Sequence, residues 1–365
     1  MAQLTFSQRA TLFLAVCHLT IRLPWRLCTS FFTREHNKSW RQICTSVLMS
    51  TVVTQRFRKG LPVTESITNY ASWTATTGLE ANVEELCNGA KLLWIGPKYL
   101  DRVMLYCHGG GYMLNVGPNT FSWLRHMQLE LQKRDIDVGI AIVAYNLLPN
   151  AVFPSRLREA TDGFNHLRAA GVLPENIILG GDSAGGNLAL QLLSHILHPM
   201  PSIEVVRATR LRGLLLLSPF VGAQRTSEMP LSQLEALHKR DFLPAEFHSE
   251  VCLTFLKDVP KDGIAYADGL AAPEEWFKPS DEAVGRILVT TGEWDFLEEN
   301  TRLFYERHLK PLHRDVKLVV EKDGEHVSPL LDFVLKGDVK STLTPLIVEW
   351  LADTFKARPI TGLDK

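Results

Sequence analysis

The chain has 365 residues, of which 45% are hydrophobic and 22% are charged, and its formal net charge is −1. This composition is typical of a globular protein with room for a large α/β domain that carries an insertion, or for two domains. A nearly neutral charge gives no reason to expect a nucleic acid as a partner.

The first 60 residues are strongly basic. They contain nine Lys and Arg residues and a single acid, Glu35. Their most apolar run, 10–21, is about a dozen residues long, whereas a bilayer span needs about 20, and no good signal-peptide cleavage site follows it. We expect 1–60 to form a cap helix over the entrance of a site in the main domain or a basic amphipathic segment on a membrane surface.

The six cysteines include no CxxC pair, so the sequence gives no support for a zinc or redox motif. Free thiols in a reducing compartment are the simplest interpretation, and we expect a cytoplasmic protein, with membrane association as the alternative. The sequence contains no metal-ligand cluster, dinucleotide fingerprint or P-loop, so we expect no metal and no cofactor. It does not determine the oligomeric state.

From about residue 90, apolar strand patterns alternate with amphipathic helical patterns. Strands are predicted at 91–95, 103–107, 139–145, 176–181, 213–220, 286–292 and 316–322. Helices are predicted at 155–171, 299–309 and 344–355. Several of the strands are apolar throughout, which is typical of a mostly parallel central sheet with helices on both faces.

A stretch of some 65 residues breaks this alternation after the strand at 213–220. Such long insertions are usually lids or binding loops. We therefore expect 61–365 to form the main domain, with a helical cap insertion at about 222–284 over the strand ends, where open α/β sheets bind ligands. Trp276 and Phe277 are candidates for the pocket wall, with core packing as the alternative.

The sequence GDSAG, which surrounds Ser183, lies between a predicted strand and a helical pattern. Gly181 and Gly185 allow a sharp turn that holds the Ser183 hydroxyl above the sheet, which predicts a nucleophile rather than a structural turn. Asp182 belongs to the same motif, and the N–H of Ala184 points to where an oxyanion would form.

A second glycine-rich motif, HGGGY, begins about 75 residues before Ser183 and directly after the predicted strand at 103–107. Three consecutive glycines are costly to order unless the backbone itself is needed. Their N–H groups can approach a developing negative charge without side chains in the way. This position at a strand end favours an anion-stabilising loop over a flexible hairpin.

A serine hydroxyl needs a base, and the base needs an acid that orients it. Asp295 follows the predicted strand at 286–292, and His326 lies in a loop after the strand at 316–322. The order Ser, Asp, His along the chain is that of the α/β-hydrolases.

On these motifs the chain resembles the hormone-sensitive-lipase-like branch of the α/β-hydrolases, whose hallmarks are HGGG and GDSAG. The resemblance extends through YNLLPNAVFPSRLREA at 145–160 and covers roughly 90–350. It implies the α/β-hydrolase fold with a helical cap. It also implies Ser183 as the nucleophile, His326 as the general base and Asp295 as its orienting acid.

The resemblance implies three oxyanion donors, the N–H groups of Gly110, Gly111 and Ala184. His108, followed by Gly109, would hold the glycine loop in shape rather than transfer protons.

The chain departs from the family pattern in two places. Asn146 and Asn150 stand where the family has Arg and Glu, which predicts a changed hydrogen-bond network near the site. The acid motif reads EWDFL where EYDPL is usual, but Asp295 stays in register.

These features predict a serine hydrolase that cleaves carboxylic esters of small to medium, fairly apolar substrates through an acyl-enzyme. One alternative keeps the fold and acts in specialised metabolism on a thioester, lactone or polyketide-like intermediate, by hydrolysis, acyl transfer or condensation. Another is a non-catalytic ligand receptor, as in the plant gibberellin receptors that resemble this family. Those proteins lack the base histidine, whereas His326 is present here. The natural substrate and the acyl-chain preference do not follow from the sequence.

Overall fold

The computed structural model describes residues 6–30, 32, 38–59, 64–206, 210–335 and 337–357. Within them, eight strands form one sheet. The strands are β1 (Val83–Glu85), β2 (Lys91–Trp94), β3 (Val103–Cys107), β4 (Gly139–Ala144), β5 (Ile177–Asp182), β6 (Gly213–Leu217), β7 (Ile287–Gly292) and β8 (Val316–Glu321).

The α-helices of the described residues lie before, between and after these strands. They are α1 (Phe6–Ser30), α2 (Trp40–Lys59), α3 (Ser66–Thr77), α4 (Pro118–Gln132), α5 (Ser155–Ala169), α6 (Ala184–Leu197), α7 (Ala223–Ser227), α8 (Leu231–His238), α9 (Ala245–Leu256), α10 (Ile264–Ala267), α11 (Ser280–Ala283), α12 (Glu298–Phe304), α13 (Ser328–Leu331) and α14 (Leu343–Lys356). A turn of π-helix, Tyr305–Leu309, continues α12.

The strand order in the sheet is β1-β2-β4-β3-β5-β6-β7-β8. The pairs β1–β2 and β2–β4 are antiparallel, and every other neighbouring pair is parallel. The expectation of a mostly parallel sheet is therefore confirmed. All seven predicted strands are present, and the sequence pattern missed only β1, which has three half-exposed or exposed residues and no apolar run.

Both faces of the sheet are covered, because neighbouring residues of a strand point to opposite sides. Leu105 of β3 belongs to the apolar cluster that also contains α5 and α6 residues. Met104, one residue earlier, belongs to the cluster formed with α4 and α14. Phe277 is fully buried and packs edge-on against Phe304 at 5.4 Å; core packing, the alternative considered above, therefore describes it.

The stretch between β6 and β7 folds into α7–α11. Within it, α9 contacts both α8 and α2. At the other end of the chain, α1 packs along α2, and α2 also contacts α13. No helix in the described ranges is both long enough and apolar enough to cross a membrane.

The turn between β5 and α6 brings two distant parts of the chain together. Gly185, in the first turn of α6, lies against the carboxyl end of β3, and a Cβ atom there would overlap the backbone of Cys107 and His108. Only glycine fits this position, because the neighbouring atoms are main chain and cannot rotate away.

We expect Gly185→Ala to lower the free energy of unfolding by about 3 kcal/mol or more, since the main chain must move to admit the methyl group. Gly78→Ala is the matched control. Gly78 has a φ of 70° but nothing within 4 Å of an added Cβ, so its cost is the left-handed backbone alone, about 1–2 kcal/mol. Urea unfolding followed by circular dichroism measures both variants. Equal losses would contradict the close-contact argument.

Candidate active site

The side chains of Ser183 and His326 meet at the carboxyl end of the sheet. The Oγ atom of Ser183 lies 2.9 Å from Nε2 of His326. Ser183 has a φ of 52° and a ψ of −120°, the strained turn expected of a serine held above the sheet. Its N–H donates to the carbonyl of Leu217 at 2.9 Å, so the pairing of β5 with β6 fixes the turn.

Asp295 holds the other side of the His326 ring. Its Oδ1 lies 3.0 Å from Nδ1 of His326. The N–H of Leu297 donates to the same oxygen at 2.9 Å, and the hydroxyl of Thr291 donates to Oδ2 at 3.0 Å. Because a carboxylate only accepts, the imidazole proton is placed on Nδ1, and Nε2 is left as the acceptor that faces Ser183.

The charges around His326 oppose the effect of burial. Burial by itself lowers the pKa of His326, but the carboxylates of Asp295, Asp241 and Asp182 raise it above the usual value of a histidine. For Asp295, burial raises the pKa, but His326 brings it below its usual range. The arrangement therefore favours an ion pair whenever the imidazole gains a proton.

The glycine-rich loop is tied to the Ser183 turn by a buried carboxylate. The N–H of Gly109 and the hydroxyl of Tyr106 donate to Oδ1 of Asp182, at 2.9 and 2.8 Å. Burial raises the pKa of Asp182 to about 6. The residue next to the serine thus fixes where the loop begins.

His108 is buried between Tyr145 and the glycine-rich loop. Its ring stacks on Tyr145 at 4.3 Å, and its Nδ1 lies 2.7 Å from the carbonyl of Gly109. The Tyr145 hydroxyl donates to the carbonyl of His108 itself at 2.6 Å. Burial lowers the pKa of His108 to about 4, so the ring is neutral near pH 7.

Three backbone N–H groups are the expected oxyanion donors. Those of Gly110, Gly111 and Ala184 have no backbone acceptor among the residues that the structure describes. Gly110 and Gly111 have φ values of 112° and 61°, which glycine adopts without strain. Ala184 begins α6, where N–H groups have no partner inside the helix. Such donors are suited to an oxygen that gains negative charge.

A further carboxylate near His326, which no sequence motif predicted, is that of Asp241, in the segment between α8 and α9. Its Oδ2 accepts the N–H of His326 at 2.9 Å and that of Phe296 at 3.4 Å. It therefore joins the two loops that carry His326 and Asp295. No local pattern singles it out, because an acid beside Lys239 and Arg240 has the appearance of a surface residue.

The N-terminal segment also contacts these two loops. The Nζ atom of Lys38 lies 2.7 Å from Oε1 of Glu325 and 4.4 Å from the centre of the Trp294 ring. Ser46 of α2 donates to the other oxygen of Glu325. Glu325 precedes His326 and Trp294 precedes Asp295, so one buried lysine contacts the neighbours of both residues.

The residues that depart from the family pattern have different surroundings in the structure. The backbone N–H and the side-chain amide of Asn146 both donate to the buried Glu159, at 2.7 and 2.8 Å. Asn150 is exposed. Phe296, in the altered acid motif, lies 4.8 Å from the His326 ring and stacks on His238 of α8 at 4.4 Å.

Among the described residues, no cluster of three or more His, Cys, Asp or Glu side chains is placed to hold a metal ion.

The family profile described as alpha/beta hydrolase fold matches residues 104–330. Esterase LipU from Mycobacterium tuberculosis is 39% identical over 95 residues, which are 26% of this chain and 30% of that protein. An acetyl-hydrolase from Streptomyces hygroscopicus is 34% identical over 118 residues, 31% of this chain and 37% of that protein. The chain thus spans less than two fifths of either relative.

Solved structures extend the likeness over most of the chain. The crystal structure of an esterase from the bacterial hormone-sensitive lipase family superposes with a TM-score of 0.64 and 21% identity, covering 87% of this chain and 99% of that one. A structural match at 21% identity supports the fold alone. The family profile, in contrast, covers more than half of the 365 residues. The chain belongs to the alpha/beta hydrolase fold family.

Proposed function

We propose that the protein is a serine hydrolase that cleaves carboxylic esters through an acyl-enzyme, with Ser183, His326 and Asp295 as its catalytic triad. The observation that carries the proposal is the line of contacts from Ser183 Oγ to His326 Nε2, 2.9 Å, and from His326 Nδ1 to Asp295 Oδ1, 3.0 Å. A nucleophile, a base and an orienting acid in hydrogen-bond contact are the parts that acyl transfer requires.

In the first half of the reaction, Ser183 Oγ attacks the ester carbonyl carbon while His326 Nε2 takes the hydroxyl proton. The carbonyl oxygen becomes an oxyanion, which the N–H groups of Gly110, Gly111 and Ala184 stabilise. The imidazolium that forms lies against the Asp295 carboxylate. It then gives its proton to the leaving alkoxide oxygen, so that the alcohol departs and the acyl group remains on Ser183.

In the second half, water takes the place of the alcohol. His326 removes a proton from the water as it attacks the acyl carbon, and the same N–H groups stabilise the second oxyanion. The proton returns to Ser183 Oγ as the carboxylic acid leaves, which restores the resting enzyme.

Apolar residues of the insertion support a fairly apolar substrate of small to medium size. Phe247 and Val251 of α9 lie so close to Gly111 that a Cβ there would come within 3.0 Å of both. The ring of Phe242 lies 6.4 Å from that of His326. The relative named acetyl-hydrolase supports a short acyl group. The receptor alternative has less support, because it does not need a histidine in hydrogen-bond contact with Ser183.

The proposal predicts that the wild-type protein hydrolyses p-nitrophenyl esters of short or medium chain and that Ser183→Ala lowers kcat/KM by at least about 10⁴-fold. The assay compares a series from acetyl to dodecanoyl, and the chain-length optimum measures the size of the pocket. Ser227→Ala, which removes a half-exposed hydroxyl in α7, is the control and keeps full activity. Undiminished turnover by Ser183→Ala would reject the mechanism.

The raised pKa of His326 predicts the pH dependence. Only the neutral imidazole acts as a base, so kcat/KM rises with pH as His326 loses its proton, with a midpoint above about 6.5. Asp295→Asn removes the strongest stabilisation of the protonated ring and its orientation. We expect it to move this midpoint to lower pH and to reduce kcat by roughly 10³- to 10⁴-fold. A midpoint that stays in place would contradict the electrostatic account.

Asp241→Asn tests the residue that bridges the two loops. Removing this negative charge lowers the pKa of His326, so the midpoint of kcat/KM moves to lower pH, and looser loops reduce kcat by about tenfold. Asp258→Asn, in an exposed loop of the same insertion, is the matched control and changes neither quantity. If kcat fell without a shift in the pH midpoint of kcat/KM, Asp241 would have a structural role only.

A further inference from the structure

The outer face of α1 carries large apolar side chains that are exposed. Phe13 is 68% exposed, Ile21 74% and Trp25 69%. With Val16, they occupy one half of the helix surface, given about 100° of rotation per residue. Six of the twelve large apolar side chains that are exposed in the described residues lie between positions 13 and 40. A cluster of this kind marks an interaction surface, whereas single exposed apolar residues do not.

The charge of the same segment indicates the partner. Neither α1 nor α2 contains an Asp or Glu, and residues 1–60 carry nine Lys and Arg against one acid. Arg22 and Arg26 are half-buried beside the apolar face. A basic segment is attracted to an anionic surface, whereas two copies of this chain that met here would bring like charges together.

We propose that the outer face of α1 binds the surface of an anionic lipid membrane, with the helix lying along the interface. The helix is about 37 Å long at 1.5 Å per residue. Tryptophan beside aliphatic residues, with arginines at the flank, is the composition of helices that lie at the lipid–water boundary. This inference goes beyond the proposed function and does not depend on it.

The structure also gives the docked helix a connection to the active site. α1 packs along α2, whose Ser46 donates to Glu325, the neighbour of His326. Lys38, just before α2, contacts Glu325 and Trp294. Two helices, α1 and α2, therefore lie between such a membrane and the catalytic loops, a separation of roughly 20 Å. Esters dissolved in the membrane would be brought near the site.

Co-sedimentation with vesicles tests the proposal. The full-length Ser183→Ala protein, which cannot turn over lipid, is mixed with vesicles of phosphatidylcholine plus phosphatidylserine or of phosphatidylcholine alone. The test variant adds Ile21→Glu and Trp25→Glu. The matched control adds Leu231→Glu and Leu253→Glu, which are exposed apolar residues of α8 and α9. Circular dichroism and thermal unfolding check that each double variant is folded.

We expect binding to the phosphatidylserine vesicles, weakened by salt, with the affinity reduced at least tenfold by Ile21→Glu/Trp25→Glu and unchanged in the control. Three results would overturn the proposal. One is no binding to either vesicle, and another is equal binding of the test variant and the control. The third is a dimer in light scattering that Ile21→Glu/Trp25→Glu dissociates, since the face would then join two copies of the chain. Each result is obtained without turnover, so it is independent of the esterase proposal.

Discussion

The close approach of two main-chain segments, at the end of β3 and the start of α6, is the constraint on which the rest of the site depends. Gly185 leaves no room for a side chain against Cys107 and His108. This contact brings the glycine-rich loop beside the Ser183 turn, and Asp182 then bonds the N–H of Gly109. The strained turn of Ser183 and the glycine-rich loop become neighbours because the two backbones touch.

The second organising feature is electrostatic. A buried imidazole is disfavoured in its charged form, yet the proposed mechanism forms an imidazolium twice per turnover. The carboxylates of Asp295, Asp241 and Asp182 all raise the pKa of His326. Asp241, which belongs to the insertion, raises this pKa and also accepts the backbone N–H of His326. The loop that carries His326 is thus contacted by the sheet, by the insertion and by the N-terminal segment, in which Lys38 and Ser46 contact Glu325.

Much of the fold and of the candidate site could be predicted from the sequence, because both depend on short local patterns. Apolar runs predicted seven strands, and the glycine motifs with the order Ser183, Asp295, His326 predicted which side chains would meet. The parts that could not be predicted are long-range pairs. Lys38 with Glu325 and Asp241 with His326 join residues far apart in the chain, and neither pair leaves a periodic or spaced signal. The place of Phe277 depends on long-range contacts in the same way. An aromatic residue in an insertion can line a pocket or pack in a core, and only its neighbours in the fold distinguish the two.

In the proposed mechanism, His326, held by Asp295, activates Ser183. Reaction with a fluorophosphonate probe is the sharpest test of this activation, because the probe needs an activated serine but no knowledge of the natural substrate. Mass spectrometry of the digested protein should find the label on the peptide that contains Ser183 in the wild type, and none in His326→Ala. Labelling at another serine, or equal labelling of Ser183 in His326→Ala, would contradict the claim.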